Sequence, residues 1–424
     1  MNIYIDTYGC TFNQGDSEIM AGLLIEEGYG LVNTPEDADV IVINTCYVKL
    51  PTEQKVINRI LKLKQEFPHK KLIISGCMVE IDQEKLKKLA PEAGWIGPHQ
   101  INYTPQAVES VLKNKTVRFI GAGDLNKVCL PKIRSNRLIH IIQICEGCNG
   151  LCSYCCTRIA RGNLHSYSVE LIRKEVEKAI ADGCVEIQLT AQDTAAYGKD
   201  INTSLSELIN SVTGVEGNYR VRVGMMHPKS VINNLDGLIQ AFKSEKVYKF
   251  IHLPLQSGNN DVLADMNRLH TVGEFEDIVS RFREEIPEIS LSTDIIVGYP
   301  TETSQAFQDT INIVKRVKPD FLHISKYHHR PGSHSSKLNE IDHQAMKERS
   351  RELNELKTKI TLNNNQKLSD KTLEVLVTGK GSKGGFIGRT DSYKTVIVNE
   401  ASLGSFVNVK ITEVKGTYLL GQRI

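Results

Sequence analysis

The stretch EGCNGLCSYCC, residues 146–156, places Cys148, Cys152 and Cys155 with three and then two residues between them. Iron–sulfur clusters usually take four cysteine ligands. A cluster held by only three cysteines leaves one iron open to an exogenous ligand, just as catalytic metal sites keep an open position where structural sites are closed. The spacing therefore predicts a cluster that takes part in chemistry.

A zinc knuckle or a pair of structural thiols is the alternative. Zinc sites usually combine two CxxC pairs or include nearby histidines, and neither follows here. Cys145 and Cys156 flank the three cysteines and complicate the ligand count, since Cys145 and Cys148 could also chelate. We interpret both as bystanders.

The spacing of the three cysteines resembles the signature of radical S-adenosylmethionine (SAM) enzymes. In that family the amino and carboxylate groups of SAM bind the open iron. Tyr154, between the last two cysteines, is similar to the aromatic residue that the family places beside the adenine of SAM.

Length and composition indicate an ordinary soluble protein of about three domains. The chain has 424 residues, 40% of them hydrophobic and 24% charged, with ten cysteines. The sequence contains no signal-peptide pattern and no apolar run long enough to span a membrane, so we expect a cytoplasmic protein in a reducing compartment. The net charge of +2 is uneven, because residues 367–424 contain nine Lys or Arg against five Asp or Glu.

The first 128 residues alternate short apolar runs with helical patterns. We predict strands at 2–8, 40–44 and 72–75, and helices near 17–27, 52–65, 82–89 and 105–113. Alternation at this spacing predicts a parallel sheet of flavodoxin-like style. The first domain is therefore predicted to span residues 1–128.

Each of these three strands is followed by a cysteine, namely Cys10, Cys46 and Cys77. The carboxyl ends of parallel strands lie along one edge, so the three thiols should converge. Helices that begin at the same edge should lower the thiol pKa values and favour thiolate ligands. Buried cysteines are also common strand residues, but three at equivalent positions predict a second three-thiolate cluster.

Residues 129–366 are predicted to form a partial TIM barrel of about six βα units, followed by a polar connecting helix at 342–364. Strands are predicted near 138–147 (LIHIIQICEG), 186–190, 219–224, 249–255, 291–298 and 321–327. In such barrels the chemistry lies at the carboxyl ends of the strands. Gln192, Asp193, Gln256 and Asp294 fall there and are candidates to bind SAM, although helix capping or a turn is the default role for an aspartate. We interpret His252, His270 and His323 as packing or surface residues.

Residues 367–424 contain closely spaced strand patterns with glycine turns, near 373–378, 385–389, 395–398, 406–412 and 417–420. This pattern predicts a small β-barrel. Its surface would carry Lys380, Lys383, Arg389, Lys394, Lys410 and Lys415. A small basic module on a neutral body is a weak indication of nucleic-acid binding.

With both cysteine trios and the terminal barrel considered together, the whole chain resembles the methylthiotransferases, radical SAM enzymes that place a methylthio group on tRNA or on a ribosomal protein. HLPLQSGNNDVLADMNR (252–268) and TDIIVGYPTET (293–303) resemble the barrel motifs of that family, and the last 58 residues resemble its RNA-binding TRAM domain. AQDTAAYG (191–198) and RVGMMHP (222–228) resemble the archaeal and eukaryotic branch acting on N6-threonylcarbamoyladenosine at position 37 of tRNA.

The resemblance implies two [4Fe-4S] clusters, with Cys148, Cys152 and Cys155 as ligands of one and Cys10, Cys46 and Cys77 as ligands of the other. One SAM would donate a methyl group to a sulfur at the N-terminal cluster. A second SAM would be cleaved at the barrel cluster to a radical that takes hydrogen from C2 of adenine. The implied partners are the tRNA anticodon loop and an electron donor whose identity the sequence does not specify, with no membrane and no DNA.

The substrate has alternatives: isopentenyladenosine 37 or a ribosomal protein. An RNA-binding protein with structural or electron-transfer clusters is the alternative from another class. A threonylcarbamoyl group carries a carboxylate, so its pocket should offer a cation or hydroxyls. Arg220, Arg222, Thr194 and Lys229 are the candidates near the AQDTAAYG and MMHP segments.

Overall fold

The structure, a computed structural model, describes residues 1–123 and 125–424. Its first part is a parallel sheet in the order β2-β1-β3-β4-β5-β6. The strands are β1 (Asn2–Thr7), β2 (Gly30–Leu31), β3 (Val40–Thr45), β4 (Lys71–Gly76), β5 (Gly94–Ile96) and β6 (Arg118–Phe119). The helices are α1 (Thr11–Glu26), α2 (Leu50–Glu66), α3 (Cys77–Ile81), α4 (Gln83–Leu89) and α5 (Thr104–Leu112).

This sheet confirms the flavodoxin-like prediction. All six residues of β3, the sequence VIVINT, are buried, as expected for a central strand covered by helices on both faces. The strand order reverses between β1 and β3, and ligands in such sheets bind outside the strand carboxyl ends at that point. The sequence analysis missed β2, β5 and β6, because two or three residues are too few to show a periodic pattern.

The second part is an open barrel of parallel strands followed by helices. Its strands, with one short hairpin, are β7 (Ile139–Gln143), β8 (Cys145–Glu146), β9 (His165–Ser166), β10 (Glu186–Thr190), β11 (Arg220–Val223), β12 (Phe250–His252), β13 (Ser290–Val297) and β14 (Phe321–Lys326). The helices are α6 (Thr157–Arg161), α7 (Val169–Ala181), α8 (Leu205–Thr213), α9 (Pro228–Ile232), α10 (Leu235–Phe242), α11 (Asn260–Asp265), α12 (Val272–Glu285), α13 (Ser304–Val317) and α14 (His343–Gln366).

The barrel strands form two parallel groups, β11-β10-β7 and β12-β13-β14, joined by a bridge between Val221 and Val247. The edges of the curved sheet are β7 and β14, so the six-unit partial barrel is confirmed. β8 and β9 pair antiparallel and close the base of the loop that carries Cys148, Cys152 and Cys155. The sequence analysis did not predict this hairpin.

The last part is a closed barrel in the order β15-β16-β17-β19-β18. Its strands are β15 (Thr372–Lys380), β16 (Phe386–Thr390), β17 (Thr395–Val398), β18 (Phe406–Val414) and β19 (Leu419–Arg423). All five lie where the sequence predicts them. Apolar residues of alternating strand positions, such as Val375, Val377 and Val409, fill the interior.

The small barrel packs against the amino ends of the large-barrel strands. The Tyr393 ring lies 5.0 Å from the ring of Phe250 and 4.8 Å from that of Tyr248. Lys394 Nζ lies 2.7 Å from a carboxylate oxygen of Asp320. The small barrel therefore covers the end of the large barrel opposite to the loop with Cys148, Cys152 and Cys155.

The N-terminal sheet docks on that cysteine loop through buried polar contacts. Arg330 pairs with Glu53, whose other oxygen lies 2.6 Å from Lys85 Nζ. Gln143 of β7 donates to the Phe12 carbonyl of α1 at 3.1 Å. Both α1 and β7 therefore belong to one interface. Across the described residues, every helix is too short or too polar to cross a membrane.

Candidate active site

The structure brings Cys10, Cys46 and Cys77 together at the carboxyl edge of the N-terminal sheet. Cys10 immediately precedes α1, Cys46 follows β3, and Cys77 is the first residue of α3. Gly9 between β1 and Cys10 has φ +113°, and a Cβ at this position would lie 2.6 Å from Cys46 Cβ. The backbone thus approaches the second cysteine so closely that only glycine fits.

Asn13, three residues after Cys10, connects the three strand ends. Its amide nitrogen donates to the carbonyls of Tyr8 at 3.0 Å and Thr45 at 2.8 Å. Its carbonyl oxygen lies 3.8 Å from Cys77 Sγ. One buried side chain therefore holds the segments that carry all three thiols at a fixed spacing.

The prediction that these thiols have lowered pKa values is wrong for two of them. Burial raises the pKa of Cys46 to about 12. Burial also raises the pKa of Cys77 above its usual value, although the Arg161 guanidinium acts in the opposite direction. Burial away from water destabilises a thiolate here by more than the N-terminus of the short α3 stabilises it. The free thiols therefore stay protonated. A coordinated metal reverses this balance, because metal ligation deprotonates a thiol outright.

Cys148, Cys152 and Cys155 lie together in the loop between β8 and α6. The Gly150 amide donates to Cys148 Sγ at 3.2 Å, and the Thr157 amide donates to Cys155 Sγ at 3.4 Å. A Cβ on Gly150 would lie 3.2 Å from Cys148 Sγ. The backbone is thus close to the sulfur atoms and supplies hydrogen bonds that stabilise thiolates.

Each trio also has a buried arginine that the sequence analysis missed. Arg268 Nη1 lies 3.7 Å from Cys152 Sγ, and its Nη2 donates to the Pro254 carbonyl at 2.6 Å. Arg161 lies at the other trio, where its Nη2 donates to Asn13 Oδ1 at 2.7 Å. Cationic donors of this kind compensate the negative charge of a thiolate-bound cluster.

Both trios supply thiols, the donors that iron–sulfur clusters usually take from proteins. Cys145 and Cys156 point elsewhere: Cys145 Sγ lies 4.0 Å from the Asp193 carbonyl and Cys156 Sγ lies 3.8 Å from the Tyr47 carbonyl. Each trio therefore offers three thiols with amide and arginine groups nearby, a donor set that suits a cluster with one open iron.

The two trios lie on facing segments of the interface. Cys156, adjacent to Cys155, packs in the same buried cluster as Cys77 and Tyr47 of the N-terminal domain. The short helices α3 and α6, which follow the two trios, pack against each other. The fold thus holds both sets of thiols at one junction, although they are separated by about 70 residues or more in sequence.

The residues predicted to bind SAM lie at the mouth of the barrel, and several of them contact other parts of the protein. Gln192 Oε1 accepts from the Gly147 amide at 2.8 Å, beside the cysteine loop. Asp193 accepts from the His227 amide at 2.8 Å and from Ser230 Oγ at 2.7 Å, so both its oxygens hold the MMHP segment. Tyr154 packs among Val262, Met266 and Tyr299. Their contacts with SAM stay predictions.

Gln256 lies beyond the end of β12, where it bridges to Ile295 next to Asp294 of β13. Gln256 has φ +74°, and its backbone N–H donates to the backbone carbonyl of Asp294 at 2.8 Å. The Asp294 carboxylate lies 2.5 Å from His252 Nε2. Burial opposes ionisation of Asp294, yet the neighbouring His252 holds the pKa of the Asp294 carboxyl below its usual value. The sequence analysis interpreted His252 as a packing or surface residue and missed its contact with Asp294.

The four candidates for recognition of a substrate carboxylate have separate positions. Arg220 pairs with Glu374 of the small barrel, and Arg222 lies over the Phe250 and Tyr393 rings. Thr194 Oγ1 donates to the Met225 carbonyl at 3.0 Å. Lys229, at the start of α9, stays partly exposed, 3.6 Å from a Glu274 oxygen. Lys229 is therefore the candidate of the four that is partly exposed at the barrel mouth, where it pairs with Glu274.

The cations of the small barrel divide into two groups. Lys394 is buried against Asp320, Arg389 lies over the Tyr393 ring, and Lys415 pairs with Glu413. The sequence analysis placed all six on the barrel surface, and Lys394, which is buried, is the exception. Lys380, Lys383 and Lys410 are exposed.

Comparison with known proteins gives three consecutive matches to family descriptions. Residues 2–97 match the uncharacterized protein family UPF0004, residues 142–314 match the radical SAM superfamily, and residues 366–424 match the TRAM domain.

Relatives match over essentially the whole chain. A probable threonylcarbamoyladenosine tRNA methylthiotransferase of Methanothermobacter thermautotrophicus is 57% identical and covers 99% of each chain. The corresponding protein of Pyrococcus horikoshii is 42% identical over 100% of each chain. The human threonylcarbamoyladenosine tRNA methylthiotransferase is 35% identical, over 100% of this chain and 74% of its own.

Solved structures share the fold at low sequence identity. The radical SAM methyltransferase TsrM of Kitasatospora setae superposes with a TM-score of 0.59 at 11% identity, over 79% of this chain and 74% of TsrM. The cobalamin-dependent radical SAM enzyme OxsB gives a TM-score of 0.55 at 11% identity, over 79% of this chain and 54% of OxsB.

Proposed function

The chain belongs to the family of the threonylcarbamoyladenosine tRNA methylthiotransferases, and on that premise we propose that it inserts a methylthio group at C2 of N6-threonylcarbamoyladenosine 37 with two [4Fe-4S] clusters. The chain is a radical SAM methylthiotransferase. The observation that carries the two-cluster proposal is the pair of cysteine trios at one junction, each with three thiols and a buried arginine.

Cys148, Cys152 and Cys155 would hold the cluster that binds SAM, and Cys10, Cys46 and Cys77 would hold the second. When bound, the clusters and SAM supply the electron and the transferred group. The protein supplies position: Asn13 and Gly9 fix the N-terminal thiols, while the Gly150 and Thr157 amides fix those of the barrel.

Residues at the barrel mouth would hold SAM itself. Gln192, Gln256 and Asp294 offer an amide or carboxylate beside the cysteine loop, Tyr154 offers an aromatic ring, and Asp193 shapes the MMHP segment. Lys229 would meet the threonylcarbamoyl carboxylate. Since C2 of adenine is hidden in a stacked helix, the target must unstack, which an anticodon loop permits at modest cost. A cytoplasmic location stays a prediction.

Anaerobic reconstitution tests this assignment against a protein with structural or electron-transfer clusters. We expect about eight iron atoms per chain, the content of two four-iron clusters, and SAM cleavage to 5′-deoxyadenosine once a reductant is added. The open irons are the physical reason, because a closed cluster has no site for SAM. Two complete clusters without any SAM cleavage would contradict the radical assignment.

Lys380 and Lys383 provide a direct test of tRNA contact by the small barrel. Both are exposed: Lys380 is the last residue of β15, and Lys383 lies in the segment that joins β15 to β16. The double substitution Lys380→Gln/Lys383→Gln should weaken tRNA binding and lower the slope of log K against log salt by about 2, since each lost phosphate contact removes roughly one counterion released. Filter binding at several salt concentrations measures the slope.

The matched control is Lys380→Arg/Lys383→Arg, which keeps both charges and should keep the slope. SAM cleavage without tRNA should be unaffected in either variant. An unchanged slope in the glutamine variant would place the phosphate contacts elsewhere. Deleting the small barrel is a poorer test, because removal of Tyr393 and Lys394 would expose Phe250 and Asp320.

A further inference from the structure

Arg161 occupies an unusual position, since it belongs to the barrel but reaches the cysteines of the N-terminal domain. It is the last residue of α6, six residues after Cys155. Its side chain is 1% exposed. The guanidinium plane lies over the Phe12 ring of α1, 4.6 Å from the ring centroid. A charge at this depth persists only where it is fully paired.

The partners of Arg161 come from both domains. Nη1 lies 2.7 Å from Asp16 Oδ2 and 2.7 Å from Glu146 Oε1. Nη2 donates to Asn13 Oδ1, the same oxygen that faces Cys77 Sγ. Lys127 completes the group, with its Nζ 2.7 Å from Asp16 Oδ1 and 3.0 Å from Glu146. Two cations and two carboxylates thus form a buried, electrically balanced network.

The charged groups of this network are not arranged symmetrically around Cys77. Nη2 of Arg161 binds the Asn13 oxygen that lies 3.8 Å from Cys77 Sγ, whereas Asp16 binds the guanidinium at Nη1. The guanidinium therefore lies between the carboxylates and the segment that carries Cys77, in a buried region. Electrostatic effects on a buried group are strong, because little water screens them.

We propose that Arg161 raises the reduction potential of the cluster held by Cys10, Cys46 and Cys77, so that the barrel's own polypeptide sets the redox properties of the N-terminal cluster. The inference rests on the proposed two-cluster function. A reduced cluster carries one more negative charge than an oxidised one, and a cation or hydrogen bond at a ligand sulfur stabilises it. Arg268 at Cys152 provides the same kind of neighbour to the other cluster.

A purely structural role of Arg161 would explain its pairing with Asp16 and Glu146. It would not explain why Nη2 of Arg161 points to the cysteine-bearing segments. That nitrogen binds Asn13, the residue that holds the Tyr8 and Thr45 carbonyls next to Cys10 and Cys46. The guanidinium is therefore joined to the thiol-bearing segments as well as to the carboxylates. Arg161 is a positioning residue in this sense, acting on the cluster through its ligands.

Two substitutions of opposite sign test the proposal. Arg161→Gln removes the positive charge and should lower the midpoint potential of the N-terminal cluster. Asp16→Asn removes the opposing negative charge and should raise it. Both substitutions break the same buried ion pair between Arg161 and Asp16. If they acted only by loosening the interface, they would shift the midpoint potential of the cluster in the same direction. The double variant Arg161→Gln/Asp16→Asn leaves Lys127 with Glu146 and should return close to the wild-type potential.

The measurement is a redox titration of the reconstituted full-length protein followed by electron paramagnetic resonance. The same titration on the Cys148→Ala/Cys152→Ala/Cys155→Ala protein assigns the N-terminal signal. Shifts in opposite directions support the proposal; equal potentials, or shifts in the same direction, overturn it. If Arg161→Gln does not fold, a raised potential in Asp16→Asn that is reversed in the double variant supports it, and an unchanged one overturns it.

Failure of the proposed function gives a different result. In that case the wild-type protein would hold no cluster at Cys10, Cys46 and Cys77, and no N-terminal signal would be present to titrate. A signal that is present but insensitive to both substitutions would refute only the role of Arg161.

Discussion

We expect the variant Cys10→Ala/Cys46→Ala/Cys77→Ala to lose methylthiolation of tRNA completely while it continues to cleave SAM to 5′-deoxyadenosine. The three thiols lie on the N-terminal sheet, and the residues that shape the barrel loop, such as Gly150 and Thr157, contact only the other trio. Iron content should fall by about half, because one of two four-iron clusters is lost. Iron analysis, nucleoside mass spectrometry and 5′-deoxyadenosine release measure the three effects.

The matched variant Cys148→Ala/Cys152→Ala/Cys155→Ala should lose about the same amount of iron but also lose SAM cleavage. Cys129→Ala serves as a cysteine control, since this thiol is exposed and outside both trios. It should change none of the three measurements. Full iron content in the Cys10→Ala/Cys46→Ala/Cys77→Ala variant would show that these three residues are ordinary core cysteines.

The placement of the N-terminal cysteines could be predicted because its signals are local. A continuous apolar run such as VIVINT indicates a buried strand, and cysteines just beyond the ends of three parallel strands lie at the same edge of the sheet. The spacing of Cys148, Cys152 and Cys155 is likewise a local property. The five-stranded terminal barrel appears in the structure as expected, whereas the role of both trios as cluster ligands stays a prediction.

The residues that the sequence analysis missed depend on distant partners. Arg161 and Asn13 are 148 positions apart, and Arg268 and Cys152 are 116 apart. No periodicity or spacing relates such pairs. The thiol pKa values were mispredicted for a similar reason, because helix position is visible in the sequence but the depth of burial of Cys46 and Cys77 depends on packing.

The same limit applies to the terminal barrel. Its strands follow from local alternation, but the sequence does not distinguish Lys394, which is buried against Asp320, from the exposed Lys380. Which lysines face the other domain depends on how the two barrels dock. The Tyr393 ring contacts the Phe250 ring where the two barrels dock, and no sequence pattern predicts this contact.

The central claim is the identity of the product, a methylthio group on C2 of N6-threonylcarbamoyladenosine. The bulky N6 substituent carries a carboxylate that Lys229 would meet at the barrel mouth, whereas an isopentenyl group is apolar and offers no partner for that charge. We therefore expect strong discrimination, because a site built around a polar contact rejects an analogue that lacks it.

Mass spectrometry of nucleosides tests this most directly. The reconstituted protein is incubated anaerobically with SAM, a reductant and two tRNAs, one carrying N6-threonylcarbamoyladenosine and one carrying isopentenyladenosine at position 37. We predict that 2-methylthio-N6-threonylcarbamoyladenosine forms and that the isopentenyl nucleoside is unchanged. Methylthiolation of isopentenyladenosine alone, or of a ribosomal protein but neither tRNA, would contradict the account.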